Sequence, residues 1–168
     1  MKTLSALTRR AADALLAVAA AGLIVMTLIV GWQVFGRYVA GQSPSWSEEL
    51  SLTLMIWYIS FAAAAGVRDG FHIRIVAFEN LFEGKTRRAI QGAADAIVAL
   101  LGLAMLVWSG ELVVRTWPHA IPSLGLPRGL AYLGMPVAGA LIFLFSIERI
   151  AERLAGGGVS DGKDPSWN

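Results

Sequence analysis

Apolar positions gather into four long runs, Ala14–Phe35, Leu50–Val67, Ala96–Val114 (interrupted by Glu111) and Gly129–Ile147, separated by short polar stretches. Each run reaches or approaches the ~20 residues that a helix needs to cross the hydrocarbon of a bilayer. The expected fold is an all-α integral membrane protein of four transmembrane helices, at about 12–36, 48–67, 89–115 and 129–149. They make one domain over 1–155, followed by a Gly-, Asp- and Ser-rich tail at 156–168 with little to bury, expected to be a flexible cytoplasmic segment. The first run is too long for a cleaved signal sequence, whose apolar region spans ~7–15 residues, and reads as an uncleaved helix. The helices are expected to be continuous, with Pro136 the one proline inside a run.

The polar stretches alternate in basic content. Lys2, Arg9 and Arg10 precede the first run; Arg68, Arg74, Lys85, Arg87 and Arg88 lie between the second and third; Arg149, Arg153 and Lys163 follow the fourth. The other two connections hold only Arg37, Arg115 and Arg128. Eleven basic residues against three put both termini in the cytoplasm, because cytoplasmic loops are enriched in Lys and Arg. The same imbalance explains a pI near 9.3. The basic residues are spread along three segments and do not line one groove, so no nucleic-acid partner is expected.

Composition agrees with a bilayer protein: 56% of residues are hydrophobic and the mean hydropathy is +0.61. The chain has no cysteine, which removes disulfides, thiolate metal sites and thiol catalysis. Between the second and third runs, Ile73, Ile75, Val76, Phe78, Leu81 and Phe82 alternate with Arg74, Glu79, Asn80 and Glu83. That mixture predicts a short segment lying flat at the membrane surface, or else a cytosolic extension of the third helix.

Candidate chemistry is sparse. Ser45 and Glu48 have capping-box spacing at the start of the second helix, and Glu48 with Glu49 complements the positive end of its dipole. Those acids, beside the interfacial Trp46, could equally meet a basic partner at the outer surface. Glu111 lies near the outer end of the third helix, four residues before Arg115; the spacing predicts a local ion pair, though an intramembrane carboxylate is also a candidate coupling site. Asp13 and Asp95 lie near cytoplasmic helix ends, where local pairing is expected. The two histidines, His72 and His119, fall on opposite sides of the membrane, so a bis-histidine haem is not expected. No metal-ligand spacing, catalytic set or phosphate-binding loop is present, so neither an enzyme nor a cofactor is expected. Inverted-repeat transporters have paired broken helices around a midplane site, which this pattern lacks.

Arg37-Tyr38, Pro44-Ser45-Trp46-Ser47-Glu48-Glu49-Leu50, Phe61-Ala62-Ala63-Ala64 and Arg68-Asp69-Gly70-Phe71-His72-Ile73, in that order, resemble the small membrane subunit of TRAP transporters (tripartite ATP-independent periplasmic transporters, the DctQ family). Pro122-Ser123-Leu124-Gly125-Leu126-Pro127, with Ala131-Tyr132 and Met135-Pro136, extends the likeness, which covers about 12–154. Many relatives carry glycine where this chain has Ala62 or Ala63. The resemblance implies a bacterial or archaeal cytoplasmic (inner) membrane, multi-pass placement. It also implies a large membrane subunit carrying the substrate and sodium sites, a periplasmic binding protein that captures an organic acid, and a sodium gradient as driving force. This chain would scaffold the large subunit. Arg37, Trp46, Glu48 and Glu49 would shape the outer surface toward these partners, Trp57 and Ala62–Ala65 would pack on the large subunit, and Arg68 and His72 would close the second helix against lipid phosphate or the large subunit. Two other readings compete: a membrane anchor of a redox complex, and a small homo-oligomeric transporter that uses Glu111.

Overall fold

The computed structural model describes the backbone of residues 2–42, 44–69 and 85–154 and the side chains of 8–42, 44–68 and 90–152. The helices are α1 (Lys2–Tyr38), α2 (Ser45–Asp69), α3 (Lys85–Thr116), α4 (Arg128–Tyr132) and α5 (Gly134–Leu154). Four stretches, 8–38, 45–68, 90–116 and 128–152, are long and apolar enough to span a bilayer, as the four runs predict. The surface segment expected at 73–83 and the tail at 156–168 lie outside the described residues.

The helices do not close into a ring. α1 packs on α2, α2 on α5, and α5 on α3, while α1 and α3 make no substantial contact with each other. The spatial order is therefore α1, α2, α5, α3. One end of this row carries the α1–α2 turn and the connection between α3 and α4; we call it the hairpin end. The opposite end, where α1 begins and α5 finishes, is the terminal end.

Hydrophobic attraction cannot select helix faces in lipid, so close packing must. On α1 the shielded positions run from Thr8 through Ala12, Leu15, Ala19, Gly22, Met26, Ile29 and Gln33 to Gly36, while nearly every residue between them is exposed. Steps of four and three residues make a heptad seam, the pattern of left-handed helix pairs. Ala12, Ala19, Gly22 and Gly36 keep the seam narrow, and a Cβ on Gly22 would stand 3.1 Å from that of Tyr58 on α2. Between its charged ends, α1 presents an apolar, uncovered surface that includes Leu16, Ile24, Leu28 and Phe35.

The α3–α5 crossing is closer still. A Cβ on Gly139 would lie 2.6 Å from the Leu106 backbone nitrogen, and one on Gly102 would lie 2.8 Å from the Phe143 nitrogen. The two glycines face one another and bring the backbones nearly into contact. Ala64, Val67, Ala138, Ile142 and Phe145 form the adjoining core between α2 and α5. Ala64 and Ala65 are thus buried within the chain's own fold, which corrects the expectation that they pack on another subunit.

Continuity also fails in the fourth run. It breaks at Leu133, between α4 and α5. Pro136 has no N–H to offer the Tyr132 carbonyl, and its ring crowds that oxygen. Leu133 keeps right-handed helical angles (φ −59°, ψ −27°), so the break costs hydrogen bonding without turning the chain away.

Candidate functional site

Polar side chains tie the helices together at both ends, with different geometry. At the hairpin end, residues 119–128 fold back as a short hairpin. Ile121 N–H donates to the Leu126 carbonyl (2.8 Å), Arg128 N–H donates to the His119 carbonyl (2.7 Å), and Ala120 pairs with Pro127. Gly125 supplies the left-handed residue of the tip, φ +64°. The hairpin is held to α2 by Glu49, whose Oε2 accepts from the Ser123 backbone N–H (3.2 Å) and from the Ser123 hydroxyl. About two turns further along α2, Trp57 Nε1–H donates to the Leu130 carbonyl of α4 (3.2 Å). The Trp57 ring lies edge-on to Phe61, centroids 5.4 Å apart, and against Gly134, where a Cβ would be 3.2 Å away.

These contacts redistribute the residues expected to face partners. Arg37, Trp46 and Glu48 are exposed at the hairpin end. Glu49 and Trp57 are engaged inside the chain. Ser45 and Glu48 share no hydrogen bond among the described residues. The helix already includes Ser45, so the hydroxyl used at this end is that of Ser47, which donates to the Pro44 carbonyl at 2.7 Å. Glu111 and Arg115 pair at 2.6 Å, with both side chains more than half exposed. Trp32, Trp108 and Trp117 are exposed in the same half of the molecule as Trp46, a belt suited to a membrane–water interface.

The terminal end holds what sequence reading missed. Arg68 Nε donates to Thr8 Oγ1 (3.1 Å) and stands 3.7 Å from Glu148 Oε2, while Thr8 Oγ1 donates to Glu148 Oε1 (3.0 Å). Beside them, Arg149 Nη2 lies 3.3 Å from Asp95 Oδ1, and Arg149 Nη1 donates to the Val67 carbonyl (2.7 Å). Asp95, Glu148 and Arg149 are buried, and the Arg68 side chain is only 16% exposed. Arg68 thus engages Glu148 and Thr8 inside the chain. His72 lies outside the described residues. Topology alone could have found this cluster: with both termini on one side, the end of α2, the start of α3 and the end of α5 must share it, and their charges are +, − and −/+. Arg149 instead counted only toward membrane orientation, and Glu148 went unremarked at the end of its run.

Among the described residues there is no group of His, Cys, Asp or Glu arranged to hold a metal. The buried charges among the described residues, Asp95, Glu148 and Arg149, lie together at the terminal end.

Residues 26–156 match the family described as tripartite ATP-independent periplasmic transporters, DctQ component. The sialic acid TRAP transporter small permease protein SiaQ of Vibrio cholerae is 26% identical over 129 residues, 73% of this chain and 70% of that protein. The C4-dicarboxylate TRAP transporter small permease protein DctQ of Rhodobacter capsulatus is 31% identical over 100 residues, 58% of this chain and 44% of that protein. The isethionate TRAP transporter permease protein DctMQ of Oleidesulfovibrio alaskensis is 22% identical over 149 residues, 84% of this chain but 24% of that longer protein. The chain thus spans most of the first relative and less than half of the other two. A family match over more than half the sequence, joined to four helices able to span a membrane, has one meaning: the chain belongs to the DctQ family of TRAP transporter small permease proteins, multi-pass components of the inner membrane and not enzymes.

Proposed function

We infer that this chain is the small subunit of a sodium-driven, binding-protein-dependent secondary transporter for an organic acid, and that its task is to scaffold a large membrane subunit. The observation that carries this reading is the open row of helices. α1 and α3 each pack along one side and present apolar flanks that no other described helix covers. The described side chains offer no polar site at mid-membrane where a substrate could be bound and released. A protein with large lipid-depth flanks and no transport site suits a subunit better than a self-sufficient carrier.

The relatives support the same division of labour. Their names range over sialic acid, C4-dicarboxylates and isethionate, although they share this family. Such variety is expected if selectivity resides on other subunits. The protein named DctMQ joins a region like this one to a much longer permease chain, which supports a large membrane partner here. The basic count supports a cytoplasmic terminal end and a periplasmic hairpin end. In that orientation Arg37, Trp46 and Glu48 face the compartment where a binding protein would dock. Glu49 and Ser123 hold the hairpin beside them.

The test is a C-terminal tag, solubilisation of native membranes in mild detergent, and identification of what co-purifies. A stoichiometric, much larger and very hydrophobic partner is expected, and the isolated chain in liposomes should transport nothing. Recovery of the chain only with itself, together with uptake by the isolated chain that Glu111→Gln abolishes, would instead establish a homo-oligomeric carrier.

A further inference from the structure

The charged groups at the terminal end supply information that the apolar helix faces lack. The α1 seam keeps heptad spacing but mixes small fillers (Ala12, Ala19, Gly22, Gly36) with bulky ones (Leu15, Met26, Ile29), and only the close approach of Gly22 to Tyr58 marks one axial position by shape. Lipid adds no penalty to a slide of α1, since one apolar ridge is as well solvated there as another. At the hairpin end the short α1–α2 turn, with Gln42 N–H donating to the Gly36 carbonyl (3.0 Å), ties that pair; the terminal end is tied by charge.

Two adjacent pairs of residues look in different directions. On α5, Glu148 turns toward Arg68 of α2 and Thr8 of α1, while Arg149 turns toward Asp95 of α3 and the Val67 carbonyl of α2. On α2, Val67 and Arg68 serve the two sides in the same way. Two cations and two anions are thereby neutralised among four helices in a largely buried cluster. A shift of any span by one turn, about 5.4 Å, would leave a buried charge without its counterpart. The hairpin end has no equivalent: Glu49 and Trp57 fasten α2 to the hairpin and α4, and α1 reaches α2 there through van der Waals contact alone among the described side-chain interactions.

We propose that Thr8, Arg68, Glu148, Asp95 and Arg149 form a two-sided ion-pair clasp that fixes the register of all four spans at one end of the protein. This role belongs to the chain itself and does not depend on the identity of its transporter.

The absence of cysteine makes the test direct. Ser146, two residues before Glu148, is 1% exposed; Ser51, near the hairpin end of α2, is 7% exposed; neither hydroxyl has a hydrogen-bond partner. Ser146→Cys and Ser51→Cys are thus near-isosteric reporters that sacrifice no hydrogen bond. The full chain, purified in mild detergent, is labelled with a maleimide in the presence of Glu148→Gln or Asp95→Asn. Opening of the clasp should raise the labelling rate of Ser146→Cys about tenfold or more and leave Ser51→Cys within about twofold of its starting rate. Arg68→Glu alone should also expose Ser146→Cys, and Arg68→Glu with Glu148→Arg should restore protection. Unchanged labelling at Ser146→Cys would overturn the proposal. So would a parallel rise at both reporters, which would mean general loosening, or failure of the exchanged pair to restore protection. If a single variant does not fold, recovery of folded, protected chain by the exchange still decides the matter.

Discussion

Gly139→Ala should be among the most damaging methyl-sized changes in this protein. The new Cβ would lie 2.6 Å from the Leu106 nitrogen, 2.9 Å from the Gly102 oxygen and 3.1 Å from the Leu106 Cα. All three are backbone atoms of α3, so no side chain can rotate out of the way. To reach ordinary contact, which begins at 3.4 Å, α3 and α5 must part by about 0.8 Å at the crossing. A gap of that size forfeits roughly a quarter to a half of each dispersion contact along the seam. Overpacking of this kind costs about 1–3 kcal/mol, and the position of the clash at the centre of the crossing argues for the upper half of that range. At about 2 kcal/mol the folded-to-unfolded ratio falls roughly thirtyfold. Gly92 and Gly110 are internal controls on α3 itself, since a Cβ at either meets nothing within 4 Å. Their alanine variants should be neutral, or stabilised by up to about 1 kcal/mol from reduced backbone freedom. The assay is reversible unfolding in mixed detergent micelles, followed by tryptophan fluorescence. The double variant Gly102→Ala with Gly139→Ala should cost less than the sum of the two singles, because the first separation makes room for the second. If Gly139→Ala unfolds at the same denaturant fraction as Gly110→Ala, the close crossing is wrong.

Other outcomes can be checked with the same material. Glu49→Gln or Ser123→Ala should loosen the hairpin by about 1–2 kcal/mol, because each weakens a charge-assisted hydrogen bond; faster amide exchange over 120–127, with α3 unaffected, is the expected signature. Trp57→Phe keeps the apolar contact with Gly134 but loses the bond to the Leu130 carbonyl, at about 1 kcal/mol. Uniform exchange throughout α4 and α5 in this variant would argue against that bond. Glu111→Gln should change stability by less than about 0.5 kcal/mol and leave uptake by the assembled transporter intact, because its pair with Arg115 is mostly exposed. Loss of uptake would return Glu111 to the transport mechanism.

The parts of this fold legible in the sequence are those enforced by the bilayer. A spanning helix must be long and apolar, so four runs became four candidate spans. What lies between the helices was not legible, because in lipid the covered and uncovered faces of a helix are equally apolar. On α1 size is no guide either: Leu15, Met26 and Ile29 share the seam with Ala12, Ala19, Gly22 and Gly36, while Ala11, Ala14, Ala17 and Gly31 face outward. Ala62–Ala65 are all small, but size alone cannot say whether a neighbour belongs to the same chain, and Ala64 and Ala65 proved internal. Glu49 stood out as an acid at a helix start, yet its partner Ser123 is 74 residues away and nothing local links them. Pro136 was noticed for its position, and its ordinary chemistry at Tyr132 explains the break that apolar content concealed.

The order of the row also bears on biogenesis. α2 and α3 follow one another in translation but are not neighbours in space, since α5 lies between them. The last span to leave the ribosome must enter between two that are already in the membrane. Until it does, Arg68 and Asp95 lack Glu148 and Arg149, and the nascent protein keeps two charged helix ends without those counterparts at the bilayer edge. A chain cut short before residue 148 would remain in that state. Charge is costly in lipid, so the seating of α5 between its neighbours is the step that brings these counterions to α2 and α3.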